Sequence, residues 1–129
     1  MVAYSFKKQF AEPIDLGTKT HTIRANGKRR HARPGETLQL YMSMRTKQCR
    51  KLKETPCTAS AQVRLYLAAG RFRIVLDGAV LDVPQSEAFA RRDGFPSLRD
   101  MAAYWQKEHP ALDVFQGTVT SWAEGGCFT

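Results

Sequence analysis

Val2, Tyr4 and Phe6 alternate with Ala3, Ser5 and Lys7, the two-residue period of a half-buried strand. Residues 10–16 read as a short helix, with Pro13 near its start and Gly17 at its end. Residues 19–24 are rich in β-branched side chains and read as a second strand. A basic loop follows over 25–33, and Pro34-Gly35 turns the chain into a third strand, in which Leu38, Leu40 and Met42 share one face. Residues 45–53 are dense in Lys and Arg, as in an exposed loop or an edge strand. Alternation returns over 57–67, with Ala61, Val63, Leu65 and Leu67 on one side, and again at Phe72, Ile74 and Leu76. Asp77-Gly78 then joins that strand to Ala79-Val80-Leu81 as a hairpin.

Beyond this point the period lengthens. Residues 84–92 read as a helix closed by Asp93-Gly94, and Ser97 caps another, with Asp100 supporting its first turn. Leu98, Met101, Ala102 and Trp105 give that second helix one apolar face, which makes Trp105 a core residue, and Pro110 ends it. Residues 114–122 form a closing strand and 123–129 a loose tail. The pattern predicts one α+β domain, mostly β, over residues 1–129: a small β-barrel of about six strands with two or three short helices packed on it.

Composition changes this picture in two respects. No apolar run approaches the roughly 18 residues a spanning helix requires, and the first residues lack the order of a signal peptide, so a cytoplasmic protein without membrane contact is expected. Residues 1–54 hold 13 Lys and Arg against 4 Asp and Glu, whereas 55–129 hold 7 against 8. The excess positive charge of this +8 chain therefore lies in its first part, where a local positive field suits a polyanionic partner. Cys49, Cys57 and Cys127 form no CxxC pair and read as free thiols. A zinc site would have to gather them with His21, His31 or His109 from distant segments, and neither a metal nor a cofactor is expected.

The segment Gly17-Thr18-Lys19-Thr20-His21-Thr22-Ile23-Arg24 resembles the GxKTxTIR signature of the ASCH family, within the PUA-like superfamily. Residues 34–41 are similar to that family's PGDxLxLY turn and strand, and Arg45-Thr46-Lys47-Gln48-Cys49 to a variant common among phage and prophage members. Asp93-Gly94-Phe95-Pro96-Ser97, Trp105 and Phe115-Gln116-Gly117-Thr118-Val119 are similar to its closing helix and strand, so the resemblance spans about residues 2–122. It implies a PUA-like barrel whose first motif lines a cleft. Family members include an amidohydrolase that removes acyl groups from N4-acylated cytidine, reported ribonucleases and suspected RNA binders. In the amidohydrolase branch the Lys and second Thr of the motif act with a late carboxylate. Carried over, these are Lys19, Thr22 and Asp93, although that branch has Glu there and Glu87 competes for the role.

The chemistry of these residues fits an amide hydrolase or a binding cleft. Thr22 is a candidate nucleophile, Lys19 a base if its surroundings lower its pKa, and Asp93 a group that orients Lys19 or water. Arg24 lies two residues from Thr22 on the same strand face, where its fork of donors suits a phosphate or a pyrimidine carbonyl. Lys19 falls outside that alternation and projects from the turn; otherwise it is a solvated turn lysine and Arg24 the partner of a surface carboxylate. Tyr41 is either a base-stacking ring or a strand residue covering a core edge. Arg29, Arg30, Arg45 and Lys47, with Arg50 and Lys51, are suitable phosphate contacts or simply a solvated surface. The expected partner is RNA or a modified nucleoside or nucleotide, bound by a monomer.

Overall fold

The computed structural model describes residues 1–68 and 70–129. The strands are β1 (Val2–Phe6), β2 (His21–Ala25), β3 (Thr37–Met42), β4 (Arg50–Pro56), β5 (Ala59–Tyr66), β6 (Arg73–Leu76), β7 (Ala79–Val80) and β8 (Val114–Ser121). Among the described residues three α-helices accompany them: α1 (Ala11–Leu16), α2 (Val83–Arg92) and α3 (Leu98–Glu108). The α+β class is as expected, but eight strands replace the expected six or so. The basic segment is part loop and part edge strand, entering β4 at Arg50, and β7 is only two residues long.

These strands make two sheets among the described residues, ordered β1-β3-β4 and β2-β8-β5-β6-β7. β1 runs parallel to β3, and every other pairing is antiparallel. No ladder joins β1 to β2 among the described residues, so backbone pairing does not close a barrel. Side chains bridge that seam instead. Arg24 Nη2 donates to Ser5 O and Arg29 Nη2 to Ala3 O, each at 2.7 Å, which satisfies carbonyls on the free edge of β1. At the other crossing the chain passes between the sheets at Cys57-Thr58, held by Cys57 N–Glu36 O at 2.7 Å and Thr58 N–Ser121 O at 2.8 Å.

One cluster of buried side chains draws on both sheets and all three helices, including Tyr4, Ile14, Leu38, Leu65, Phe89, Met101 and Val119. The alternation read along β5 is its burial pattern, with Ala61, Val63 and Leu65 inside. β8 lies between β2 and β5 and is buried from Gly117 to Ser121, which explains its lack of alternation. Asp77 and Gly78 both take positive φ, 48° and 84°, as a two-residue hairpin turn between β6 and β7 requires. Residues 123–129 are not loose. Ala123 is buried, its carbonyl accepts from Thr58 Oγ1 at 2.6 Å, and Phe128 packs on the core. No helix among the described residues is long and apolar enough to cross a membrane.

The helices begin as their sequences direct. Ser97 caps α3 by accepting from Asp100 N, and α2 opens with a full capping box between Asp82 and Gln85. Replacing Asp82 with Ala is expected to lower stability by about 1 kcal/mol, the usual worth of such a cap. Urea unfolding measures it, and an unchanged midpoint would show that the cap contributes nothing.

Candidate functional site

Four elements meet beside the seam: the end of β1 with the 3₁₀ turn Lys8–Phe10, the start of β2, the end of α2, and α3. They enclose an open cavity of about 330 Å³ whose lining includes Phe6, Lys19, Thr22, Arg24, Asp93 and Tyr104. α1 ends at Gly17 in the left-handed conformation, φ +82°, and two residues later the chain reaches Lys19. Thr20 N donates to Arg92 O at 2.7 Å, which ties the start of β2 to the end of α2.

That junction fixes the lysine. Lys19 is 3% exposed, so it is a buried residue rather than a solvated turn lysine. Its ammonium donates to Asp93 O at 2.6 Å and lies 3.4 Å from Asp93 Oδ1. A cation belongs there, because the last turn of a helix leaves carbonyls unpaired and carries the negative end of the macrodipole. Phe10 and Phe6 add ring faces at 4.8 and 5.6 Å from Nζ. Gly94, at φ +96°, packs directly on the lysine stem, and a Cβ there would sit 2.9 Å from Lys19 Cδ.

Burial sets the electrostatics of the pair. Desolvation is the largest influence on both members: it pushes Asp93 up to about 6, against the pull of Lys19, and pushes Lys19 below its ordinary value, against the pull of Asp93. Arg24 lowers Lys19 further. Burial thus moves the two groups' titrations towards each other, the carboxyl upward and the amine downward.

Thr22 and Arg24 share a face of β2, as their spacing predicts, and Arg24 Nε donates to Thr22 Oγ1 at 3.3 Å. The hydroxyl therefore accepts from Arg24 and keeps its own proton for a base. The Arg24 guanidinium lies 4.8 Å from the Phe6 ring centroid and 5.1 Å from that of Tyr4. Its main-chain partner is Ser5 O rather than a surface carboxylate. An edge-on aromatic group completes the wall, with Phe10, Phe95 and Tyr104 ring centroids 5.3–5.6 Å apart. Trp105 is buried in the core, as expected, and also borders the cavity with His109 stacked on it at 5.2 Å. Lys7 and Glu108 form an exposed ion pair at the rim.

The structure brings together Lys19, Thr22, Arg24 and Asp93 and leaves the other candidates outside the cavity. Glu87 Oε2 accepts from Leu98 N at 3.0 Å at the start of α3, outside the cavity that Asp93 lines. Arg29 bridges the seam, and Arg30 holds Glu36 with two bonds of 2.7 Å. Tyr41 is half-buried in β3 opposite Lys51, while Arg45 and Lys47 are exposed on the loop between β3 and β4. His21, weighed in the sequence only as a distant zinc ligand, fills a variable position of the motif, so nothing in the chain marks it for the cleft. It is fully buried, with Nε2 3.5 Å from Asp93 Oδ1. No protein-family model, curated protein or solved structure matches the chain.

Proposed function

We propose that the chain is an ASCH-type domain that binds a pyrimidine nucleoside or nucleotide in this cleft and hydrolyses an exocyclic amide on the base, as in N4-acylated cytidine. One observation carries the reading: a buried Lys19–Asp93 pair beside Thr22 and Arg24, on a cavity of about 330 Å³. That volume is at the lower end of small-ligand sites, roughly 300–1,000 Å³, and so favours a single nucleoside. The aromatic wall of Phe10, Phe95 and Tyr104 suits a planar base. A PUA-like barrel, the finer architecture the motifs imply, is supported by the arginine bridges at the β1–β2 seam and by the single core both sheets share.

In this reading the Lys19 amine takes the proton of Thr22 as Oγ1 attacks the amide carbonyl, and Arg24 faces the oxyanion. Collapse breaks the carbon–nitrogen bond, and the lysine ammonium returns its proton to the departing exocyclic nitrogen. Water, deprotonated by the same amine, then cleaves the acyl-threonine ester and releases the carboxylic acid, and the proton goes to Thr22 Oγ1. Asp93 holds Lys19 in place throughout.

The test is turnover of N4-acetylcytidine, followed as cytidine and acetate. Product is expected from the native protein and none from Lys19→Ala with an unchanged circular dichroism spectrum. Because Asp93 holds Lys19 as a carboxylate and titrates at about 6, and Lys19 acts as the free amine, kcat/KM should rise with pH through about 6 and go on rising as the lysine, lowered from its ordinary value, loses its proton. No product from a panel of N4-acylated nucleosides after prolonged incubation would overturn the reading.

A second reading, a surface that binds RNA, is favoured by the exposure of Arg45, Lys47, Arg50 and Lys51 on one continuous segment. It predicts salt-sensitive RNA binding that the double substitution Arg45→Glu, Lys47→Glu weakens and Thr22→Ala leaves unchanged. Binding insensitive to both salt and charge reversal would exclude it.

A further inference from the structure

His21 lies in β2 between Thr20 and Thr22, yet its side chain is fully buried and neither ring nitrogen has a hydrogen-bond partner among the described residues. A buried polar group without a partner costs stability that a leucine or phenylalanine in the same space would not. Packing alone therefore does not account for this residue. Its nearest polar atom is informative: Nε2 is 3.5 Å from Asp93 Oδ1, the same oxygen that Lys19 Nζ approaches at 3.4 Å. The ring is held by Phe89 and Phe128, with centroids at 4.4 and 5.9 Å, so it has little freedom to turn away.

We propose that His21 is a positioning residue, whose Nε2–H donates to Asp93 Oδ1 and fixes that carboxylate against Lys19. The proposal rests on the reading of Lys19 and Asp93 as the working pair. Donation by a neutral ring suits the surroundings. Asp93 faces Lys19 from the turn before β2 and Arg24 from β2, while His21 faces Lys19 and, from α2, Arg92. Burial first, then these two cations, keep the imidazole well below its usual titration range against the opposing pull of the Phe89 backbone, so it holds one proton rather than two at neutral pH. At 3.5 Å the contact is longer than an ordinary hydrogen bond, yet in a buried site of low dielectric an N–H dipole at that distance still bears on the Asp93 charge before any ligand is bound.

Two substitutions separate this role from packing. His21→Phe fills the same space without a donor, whereas His21→Gln places an amide N–H near the position of Nε2. His21→Phe is expected to lower kcat for N4-acetylcytidine by about tenfold or more, the effect of one hydrogen bond to a charged group, with KM little changed. His21→Gln should recover most of the loss. The second readout needs no turnover: the Asp93 side-chain carboxyl, followed by ¹³C NMR across pH. Its midpoint should rise by about one unit in His21→Phe and return towards the native value in His21→Gln. Native protein that turns over no nucleoside but shows this titration pattern would sink the hydrolase and keep the positioning role. An Asp93 midpoint that is the same in native protein and His21→Phe would overturn the positioning role whatever the activity, as would His21→Gln behaving like His21→Phe. If His21→Phe does not fold, His21→Gln against His21→Leu gives the same comparison.

Discussion

Lys19→Met is expected to abolish turnover and to destabilise the protein in a pH-dependent way. The substitution keeps the length of the buried stem and removes the cation, leaving Asp93, 4% exposed, without its partner. Breaking a buried pair from one side typically costs about 3–5 kcal/mol, because an uncompensated charge stays behind. Asp93 can escape that penalty by taking up a proton. Its folded value, about 6, already lies above that of a carboxyl in an unfolded chain, so the native state binds the proton more tightly. Its contribution to stability is therefore fully present below about pH 4 and is lost as pH rises through about 6. Removing Lys19, which holds the value down, moves the folded midpoint higher still. The variant should lie close to the native protein at about pH 5 and fall well below it at about pH 8. Asp93→Asn should behave in the opposite sense. It strands the lysine, whose folded value is lowered, so its deficit is largest near neutrality and shrinks as the amine loses its proton at high pH. Replacing both residues with apolar ones should restore stability, since such exchanges are often neutral or stabilising by about 1–4 kcal/mol, while activity stays absent. Urea unfolding across pH checks all three, and a Lys19→Met deficit equal at both pH values would refute a buried coupled pair.

The contrast between these variants indicates why a small domain keeps such a pair at all. Apolar residues at both positions would fill the same space without the desolvation of two charges, so a double variant that matches or exceeds the native stability would mark the pair as one kept for something other than stability. His21 adds a third polar side chain to the same pocket of the core, and the end of α2 is where all three converge.

Much of this site was legible in the chain. The two-residue spacing of Thr22 and Arg24 puts both on one face of β2, and Gly17 stops α1 so that Lys19 enters before the strand begins. Asp93-Gly94 marks the end of α2, which brings a carboxylate to a helix terminus. What remained hidden depends on contacts between distant segments. Periodicity reports which face of an element is apolar, not which faces meet, so the wall of Phe10, Phe95 and Tyr104 could not be assembled from it. Nor can pattern show which strand edge stays unpaired, or which arginine reaches it. The structure uses Arg29 on that edge and Arg30 on Glu36. In the same way, only the fold shows that Asp93 lines the cavity while Glu87 accepts from the amide of Leu98 at the start of α3.

Gly94→Ala is the second large effect, and it reaches the site without changing any group that carries charge. The residue has φ +96°, outside the range L-residues adopt comfortably. A left-handed conformation costs a side-chain-bearing residue roughly 1–2 kcal/mol. The added Cβ would also meet Lys19 Cδ at 2.9 Å, with Cβ and Cγ of the same side chain at 3.2 Å. These are atoms in the middle of a stem pinned at both ends, by the backbone at the start of β2 and by the ammonium on Asp93 O. The lysine cannot give way at its tip, so relief must come from withdrawing Nζ or from moving the end of α2. Either lengthens the 2.6 Å bond to Asp93 O and shifts the amine relative to Thr22, and misplacing a reacting group by about 1 Å can cost roughly 100-fold in rate. Gly94→Ala is therefore expected to lower stability by about 1–3 kcal/mol and kcat by one to two orders of magnitude. By contrast, Gly27→Ala meets nothing within 4 Å and has ordinary φ, so it should leave both unchanged. Unfolding midpoints and single-turnover rates for the two variants check the claim. Equal behaviour of Gly94→Ala and Gly27→Ala would show that the glycine does not set the position of Lys19.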